Sequence, residues 1–207
     1  MTSAPTTRTL TLVVAAALFM ESLTSTVIAT SLAAIAADLQ VDPLTLKLAF
    51  TAYFVALAIF IPISGWCADR FGAKTVFAAA IGVFTLSSIG CALAWNLPSL
   101  VAGRFCQGLG GAMMLPVGRL ILLRAIPKSE MVSAMAWLGI PTLFAPILGP
   151  PVGGFITTFH HWRGIFWLNL PIGLLGLALA LWFVPQVRAD DPPPLDWPGF
   201  LLTGAGL

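Results

Sequence analysis

The stretch Gly65-Trp-Cys-Ala-Asp69-Arg70-Phe-Gly72-Ala-Lys74 is a short charged segment between two long apolar runs, 48–66 and 75–94. A helix that spans a bilayer needs about 20 mostly apolar residues, so each run is long enough to cross a membrane. Two spans joined by so few residues must be antiparallel neighbours, and the charged segment must lie at one membrane surface. Its glycines permit a tight reversal of the backbone. Taken by itself, the segment can also be interpreted as a plain positively charged turn between two helices, without a further role.

The composition excludes an ordinary soluble protein. Only 9% of the residues are charged and 58% are hydrophobic, whereas soluble domains carry about 25% charged residues. The net charge of +2 is too small to indicate a nucleic-acid partner. The three cysteines lie in apolar sequence without histidine or cysteine partners at useful spacing, so neither a metal site nor a disulfide is predicted. No cofactor is expected.

Hydropathy predicts six membrane-spanning helices, at about 10–37, 45–66, 75–95, 99–122, 131–158 and 165–184. One side of the predicted membrane collects most of the basic residues, namely Arg8, Arg70, Lys74, Arg119, Arg124, Lys128 and Arg188. The opposite side has only Lys47 and Arg163, and Arg104 lies inside a span. Cytoplasmic loops carry an excess of Lys and Arg. We therefore expect a multi-pass protein of the cytoplasmic (inner) cell membrane with its amino terminus inside.

Three regions are predicted along the chain. Residues 1–185 should form a six-helix transmembrane bundle, and the polar, proline-rich residues 186–198 a cytoplasmic linker. Residues 199–207 begin another apolar run, which reads as the start of a truncated seventh helix. The sequence resembles the first part of a longer protein, whose partner would be a missing carboxy-terminal half or a second copy of the chain.

Glu21 is the one acidic side chain well inside a predicted span. A count of about 1.5 Å per residue from Leu10 places it roughly 16 Å deep, near the midplane. Thr24 and Ser25 lie within one turn of it and give it polar neighbours. An ionised carboxylate facing lipid would cost at least about 3 kcal/mol, so Glu21 should face the protein interior or a cavity. It reads either as a proton carrier or as a neutral group hydrogen-bonded to a neighbouring helix.

Arg104 lies inside the fourth predicted span, near its outer end. Gln107, Gly108 and Gly111 follow it on the same helix face. Arg104 could extend to the outer surface along its apolar stem, or it could pack inward against the Gln and Gly stripe, which favours a functional position. We also expect the glycines to allow close packing between helices.

The fifth predicted span is unusually rich in proline and glycine. It carries Pro141 and Pro146, followed by Gly149-Pro150-Pro-Val-Gly153-Gly154. Prolines remove backbone donors, so this helix should be bent or distorted, and a cluster this dense suggests a helix whose shape matters at a moving interface. No Ser/His/Asp set, phosphate-binding loop or zinc spacing is present in the sequence, so an enzyme is not expected.

Several motifs together resemble the major facilitator superfamily. The segment Gly65–Lys74 is similar to the signature loop between helices two and three of that family, and Arg104-x-x-Gln107-Gly108 to its fourth-helix motif. Gly149-Pro150-x-x-Gly153-Gly154 resembles the antiporter motif of the fifth helix. Residues 19–30 and 162–173 resemble motifs of the fourteen-helix drug:proton antiporter branch. Thr24 stands where that branch usually has Asp, so Glu21, one turn earlier, would have to supply the carboxylate.

The resemblance implies an all-α membrane fold, a six-helix half built from two inverted three-helix repeats. It implies proton-coupled efflux of lipophilic or cationic small molecules, with Glu21 and Arg104 in proton coupling and with Thr24, Ser25 and Gln107 lining the substrate cavity. The remaining motif residues would act in a gating loop (Gly65, Asp69, Arg70, Gly72, Lys74) and in the antiporter motif (Gly149, Pro150, Gly153, Gly154). The alternative is a non-transporting truncated half or a six-helix membrane protein that forms homodimers.

Overall fold

The computed structural model describes residues 7–188 together with Pro194, Asp196 and Phe200. The described chain is helical, in the order α1 (Thr7–Thr30), α2 (Leu32–Leu39), α3 (Lys47–Phe71), α4 (Ala73–Ala92), α5 (Leu97–Ala125), α6 (Met131–Phe159), α7 (Gly164–Trp167) and α8 (Asn169–Phe183). Six helices in this part, with α7 and α8 counted as one, are long and apolar enough to cross a membrane. Most of the predicted linker, and the predicted seventh helix apart from Phe200, lie outside the described residues.

The first span is shorter than predicted. The sequence indicates one helix over 10–37, but the structure breaks it at Ser31, between α1 and α2. The Ser31 backbone N–H bonds to the Ile28 carbonyl three residues back, and its hydroxyl bonds to the Val27 carbonyl. Serine side chains compete in this way for helix carbonyls. The apolar composition continues across the break, which is why hydropathy does not detect it.

The charged segment that links α3 to α4 is almost entirely helical. We predict a turn over 68–74, whereas α3 continues to Phe71 and α4 begins at Ala73. Gly72 alone connects them, with a φ of 91°, a conformation that residues with a Cβ rarely adopt. The Ala73 N–H bonds to the Val187 carbonyl at 2.8 Å. The beginning of the predicted linker therefore packs against this turn.

Local sequence explains the ends and the continuity of the later helices. Asn96 and Ser99 form a reciprocal capping box at the start of α5, with Pro98 in its first turn. In α6, the prolines at 141, 146, 150 and 151 do not interrupt the helix. Membrane helices tolerate proline because neighbouring groups satisfy the freed backbone atoms.

The helices pack around one main apolar core and leave two helices largely uncovered. Val14 of α1, Phe77 and Phe84 of α4 and Val117 of α5 are fully buried in that core. The spans α3 and α6 are the least buried of the six. On α6, Leu143 is 71% exposed. Such faces suit contact with lipid or with another set of helices.

Candidate functional site

Glu21 faces the interior of the bundle, as predicted. It lies in the middle part of α1, about 20 Å from the start of that helix at 1.5 Å per residue, and it is half-buried. The hydroxyl of Tyr53, on α3, donates a hydrogen bond to Glu21 Oε1 at 2.5 Å. The carboxyl group is therefore held at a contact between two spans and not directed into lipid.

Arg104 packs inward, and the alternative of an extended side chain at the outer surface is wrong. Its relative exposure is 0%. The guanidinium carbon lies 4.1 Å from the centre of the Tyr53 ring, a cation–π geometry that stabilises a buried cation. One nitrogen, Nη1, donates to Gln107 Oε1 at 2.5 Å. Within the described residues, Nε and Nη2 have no hydrogen-bond partner, and no ion pair joins Arg104 to Glu21.

A chain of buried polar side chains continues from Gln107 back to α1. The Gln107 amide donates to Ser88 Oγ on α4 at 2.6 Å, and the Asn169 amide of α8 donates to the same oxygen at 3.2 Å. The Thr24 hydroxyl donates to Asn169 Oδ1 at 2.8 Å. Because Thr24 and Glu21 are one turn apart on α1, the contacts form a closed circuit. We call its seven residues the polar ring: Glu21, Thr24, Tyr53, Ser88, Arg104, Gln107 and Asn169.

Two glycines of α5 provide the space that the polar ring occupies. A Cβ added to Gly108 would clash with the Tyr53 backbone carbonyl and with Ala56. A Cβ added to Gly111 would lie 3.1 Å from the Tyr53 hydroxyl and 3.4 Å from Glu21 Cγ. Small residues allow such close approach between membrane helices. The glycine stripe predicted on this span is therefore where α3 and α1 meet α5.

The polar ring includes residues that were not predicted as site residues from the sequence. It also lacks one predicted residue, Ser25. Ser25 bonds to the Ser22 carbonyl of its own helix and does not join the ring. Tyr53 and Ser88 were not predicted, and Asn169 appeared only within a motif. The chain contains a single tyrosine, and a lone phenol inside an apolar span was the signal that could have identified Tyr53.

The predicted gating-loop residues occupy different environments. Asp69 Oδ1 lies 2.8 Å from Arg124 Nη2, so an ion pair ties the end of α3 to the last turn of α5. Arg70 is exposed and Lys74 is half-buried. A Cβ on Gly65 would meet nothing within 4 Å. Gly72 has a clear backbone role, whereas the structure shows no packing reason for glycine at 65.

The fifth-span motif separates into packed and open glycines. Gly149 lies against Thr26 of α1, and Gly153 lies against the Val27 carbonyl and Thr30 of α1. Gly154 has open space where its Cβ would be. The first two therefore form the α1–α6 contact, and Gly154 does not.

Replacing Gly153 by Ala should destabilise the bundle by about 1–3 kcal/mol, the usual cost of overpacking. The added Cβ would come within 2.7 Å of a backbone carbonyl that cannot move aside easily. Gly154→Ala is the matched control, because both changes have the same effect on helix propensity. Thermal unfolding in detergent, followed by circular dichroism, measures the difference. Equal melting temperatures for the two variants would contradict this assignment of the motif.

A second polar cluster joins three connections at the other end of the bundle. Asp38 Oδ2, near the end of α2, accepts bonds from Arg163 Nη1 at 2.7 Å and from the Trp162 indole at 3.0 Å. Arg163 Nη2 donates to the Ala94 carbonyl beyond α4 at 2.8 Å. These bonds from Trp162 and Arg163 hold the pKa of the Asp38 carboxyl below its usual range.

Asp38→Asn should lower stability in a pH-dependent way. A depressed pKa means that the charged form contributes stability above the unfolded value of 3.8, and that this contribution disappears as the pH falls through the lower folded value. The difference in melting temperature between the native chain and Asp38→Asn should be present from about pH 7 to 5 and shrink below about pH 4. Because the pair is partly exposed, the effect should be about 1 kcal/mol or less. Asp42→Asn, which removes an exposed acid in the next turn, is the matched control.

Comparison with curated proteins identifies relatives that are more than twice as long as this chain. It is 44% identical over 200 residues to "Probable transport protein HsrA" of Haemophilus influenzae, covering 97% of this chain and 43% of the relative. It is 40% identical over 195 residues to "Putative multidrug resistance protein MdtD" of Cronobacter sakazakii, covering 94% of this chain and 41% of the relative. The chain thus spans less than half the length of these relatives.

Solved structures and a family model agree on the fold. The xylose transporter XylE from E. coli in a partially occluded inward-open conformation matches with a TM-score of 0.77 at 18% identity, over 87% of this chain and 50% of that one. The human organic anion transporter MFSD10 matches with a TM-score of 0.73 at 16% identity, over 96% and 53%. At these identities the two matches show the fold alone. The curated relatives are a transport protein and a multidrug resistance protein, in agreement with the prediction that the chain is not an enzyme. The model of the Major Facilitator Superfamily matches residues 14–204, and the chain therefore belongs to that family, as its motifs predicted.

Proposed function

We propose that this chain is the amino-terminal half of a proton-coupled exporter of lipophilic or cationic small molecules. The relatives named above as transport and multidrug resistance proteins support export. The chain covers about two fifths of their length, and α3 and α6 leave apolar faces uncovered, so a second set of helices would complete the pathway. We place the protein in the inner cell membrane with its amino terminus in the cytoplasm, from the excess of basic residues on one side.

The polar ring is the observation that carries the proposal. A half-buried carboxyl group in the middle part of a span is costly unless it faces polar partners, and such residues commonly serve in proton pathways. Glu21 would take up a proton from outside, and a substrate molecule would leave in exchange. Thr24 and Gln107 would lie beside the path of the substrate. The rest of the polar ring is buried and hydrogen-bonded. A change in the protonation state of Glu21 would therefore alter contacts that involve five of the six spans.

Tyr53 is suited to serve both protonation states of Glu21. A phenol can donate and accept hydrogen bonds. It donates to Glu21 when the carboxyl is ionised, and it can accept from Glu21 when the carboxyl is protonated. Its ring meanwhile remains against Arg104. The same side chain therefore touches both groups assigned to proton coupling without bringing them into a direct ion pair.

Tyr53→Phe should lower proton-coupled export about tenfold, because a hydrogen bond to a charged group contributes roughly 1.5–3 kcal/mol. The variant keeps the ring beneath Arg104 and loses only the bond to Glu21, so its melting temperature should fall less than that of Tyr53→Leu. Tyr53→Leu removes both contacts and should lower export and stability together. Substrate and proton fluxes in vesicles, with melting curves of the same preparations, separate the two effects. Full export by Tyr53→Phe would show that the hydroxyl has no part in coupling.

The ion pair of Asp69 with Arg124 suits a contact that breaks and re-forms. It is partly exposed, and pairs of this kind contribute about 1 kcal/mol or less. We assign the segment from Asp69 to Lys74 to the cytoplasmic gate, with Gly72 as its fixed turn. The packing of Val187 against Ala73 would connect the linker to the same region.

Flux measurements with the reconstituted chain test the proposal. Vesicles containing the chain joined to its second half should accumulate a lipophilic cation in response to an imposed proton gradient, and empty vesicles should not. An absence of coupled flux in correctly folded protein would refute export. The homodimer alternative, which the uncovered faces of α3 and α6 also suit, is favoured if the 207-residue chain alone forms stable dimers in detergent that transport.

A further inference from the structure

A cavity lies at the end of the bundle where α1 and α6 begin. Its volume is about 580 Å³. Arg8 lines it from the first turn of α1, and Glu130 from the residue before α6. Leu12, Ser133 and Trp137 line it further along the two helices. The polar ring does not touch this cavity, and the proposed transport function does not use it.

The lining changes from charged to apolar along the helix axes. Leu12 lies one turn beyond Arg8, and Trp137 lies seven residues beyond Glu130, about 10 Å at 1.5 Å per residue. Leu12 is 55% exposed and Trp137 is 53% exposed. The order of charged head and apolar body is the order that a phospholipid presents at a membrane surface, where tryptophan is also enriched.

The cavity has two side chains of opposite charge at its rim, Arg8 and Glu130, and both can contact a ligand. Both Arg8 and Glu130 are exposed, and among the ion pairs of the described residues none joins them. A ligand with one negative and one positive group can therefore contact both. Arginine matches phosphate through several N–H donors, and a carboxylate accepts bonds from an ammonium group.

We propose that this cavity binds the headgroup of a zwitterionic aminophospholipid, phosphatidylethanolamine. Arg8 contacts the phosphate and Glu130 the primary ammonium, with the Ser133 hydroxyl beside them. The acyl chains run along Leu12 and Trp137. The ammonium distinguishes this lipid from phosphatidylcholine, whose methylated nitrogen donates no hydrogen bond. The ammonium and Glu130 together distinguish it from phosphatidylglycerol, which lacks the positive charge and would meet repulsion.

The test measures which lipid stays bound. The chain is placed in nanodiscs with equal amounts of the three lipids and extracted gently, and its bound lipids are counted by native mass spectrometry. Phosphatidylethanolamine should be enriched. Arg8→Gln and Glu130→Gln should each reduce the enrichment about two- to fivefold, the equivalent of about 0.5–1 kcal/mol for an exposed charge pair. Lys128→Gln, which removes an exposed charge that does not line the cavity, should leave it unchanged.

A second readout locates the lipid. Phosphatidylethanolamine with brominated acyl chains should quench tryptophan fluorescence, and the Trp137→Phe variant should lose more of that quenching than Trp95→Phe. The control removes an exposed tryptophan next to Ala94, at the other end of the bundle. Circular dichroism melting confirms that each variant is folded. Equal retention of the three lipids, or enrichment of phosphatidylglycerol that depends on Arg8 alone, would overturn the proposal. So would a Glu130→Gln variant that retains phosphatidylethanolamine as well as Lys128→Gln does.

Discussion

Glu21→Gln should reduce proton-coupled export by about 100-fold in the proposed exporter, the lower end of what a positioned proton-transfer group contributes. The amide has nearly the shape of the carboxyl and can still bond to Tyr53, so packing around Gly111 should be preserved. It cannot take up and release a proton in the working pH range. Substrate flux driven by an imposed proton gradient, measured in vesicles, provides the number.

The same variant separates the two interpretations of Glu21. If the carboxyl serves only to join α1 to α3, Glu21→Gln should leave coupling intact, because its amide still bonds to Tyr53. If it carries the proton, stability should be retained and coupling lost. Asp42→Asn is the matched control, since it removes an exposed carboxylate at the membrane surface by the same chemical change. Normal antiport by correctly inserted Glu21→Gln protein would refute the assignment of proton coupling to this residue.

Arg104→Lys should also cause a large loss, at least tenfold in coupled export, although the formal charge is kept. The planar guanidinium stacks on the Tyr53 ring and bonds to Gln107 with well-placed donors, and an ammonium group reproduces neither geometry. Lysine is also more strongly hydrated, and this site has no exposure to water. We expect a lower melting temperature as well, because the cation–π contact and a charged hydrogen bond contribute about 1–3 kcal/mol each when buried.

Arg119→Lys provides the control for that experiment. Arg119 lies on the same helix and is exposed, so the substitution should leave both stability and flux unchanged. Flux assays and melting curves on the two variants should be run together. If Arg104→Lys exported normally, the buried guanidinium would be a structural group only, and the role proposed for it in coupling would fail.

The sequence predicted the helices well because their determinant is local. A run of about 20 apolar residues marks a span regardless of what it packs against, so five of the six spans were located within a few residues of the observed ends. The break at Ser31 was missed because it depends on hydrogen bonds and not on composition. The charged segment before α4 was read as a turn because glycine and charge usually indicate one, yet only Gly72 leaves the helical conformation.

The candidate site was predicted only in part, for a different physical reason. Glu21, Thr24, Arg104 and Gln107 stood out because polar groups in apolar spans are costly and must have partners. The identity of those partners depends on the rotation and the depth of each helix, which no local pattern gives. Ser88 shows this clearly, because a serine in an apolar helix is ordinary until two amides from other helices converge on it.

The long sequence separations within the polar clusters have a consequence for biogenesis. Thr24 bonds to a residue 145 positions later, and Asp38 to one 125 positions later. When the nascent first helix leaves the translocon, its partner on α8 has not been translated. The ribosome must add almost the whole described chain before these donors and acceptors are matched. Newly inserted early helices should therefore remain close to the insertion machinery or to a chaperone, and assembly of these contacts should await α8.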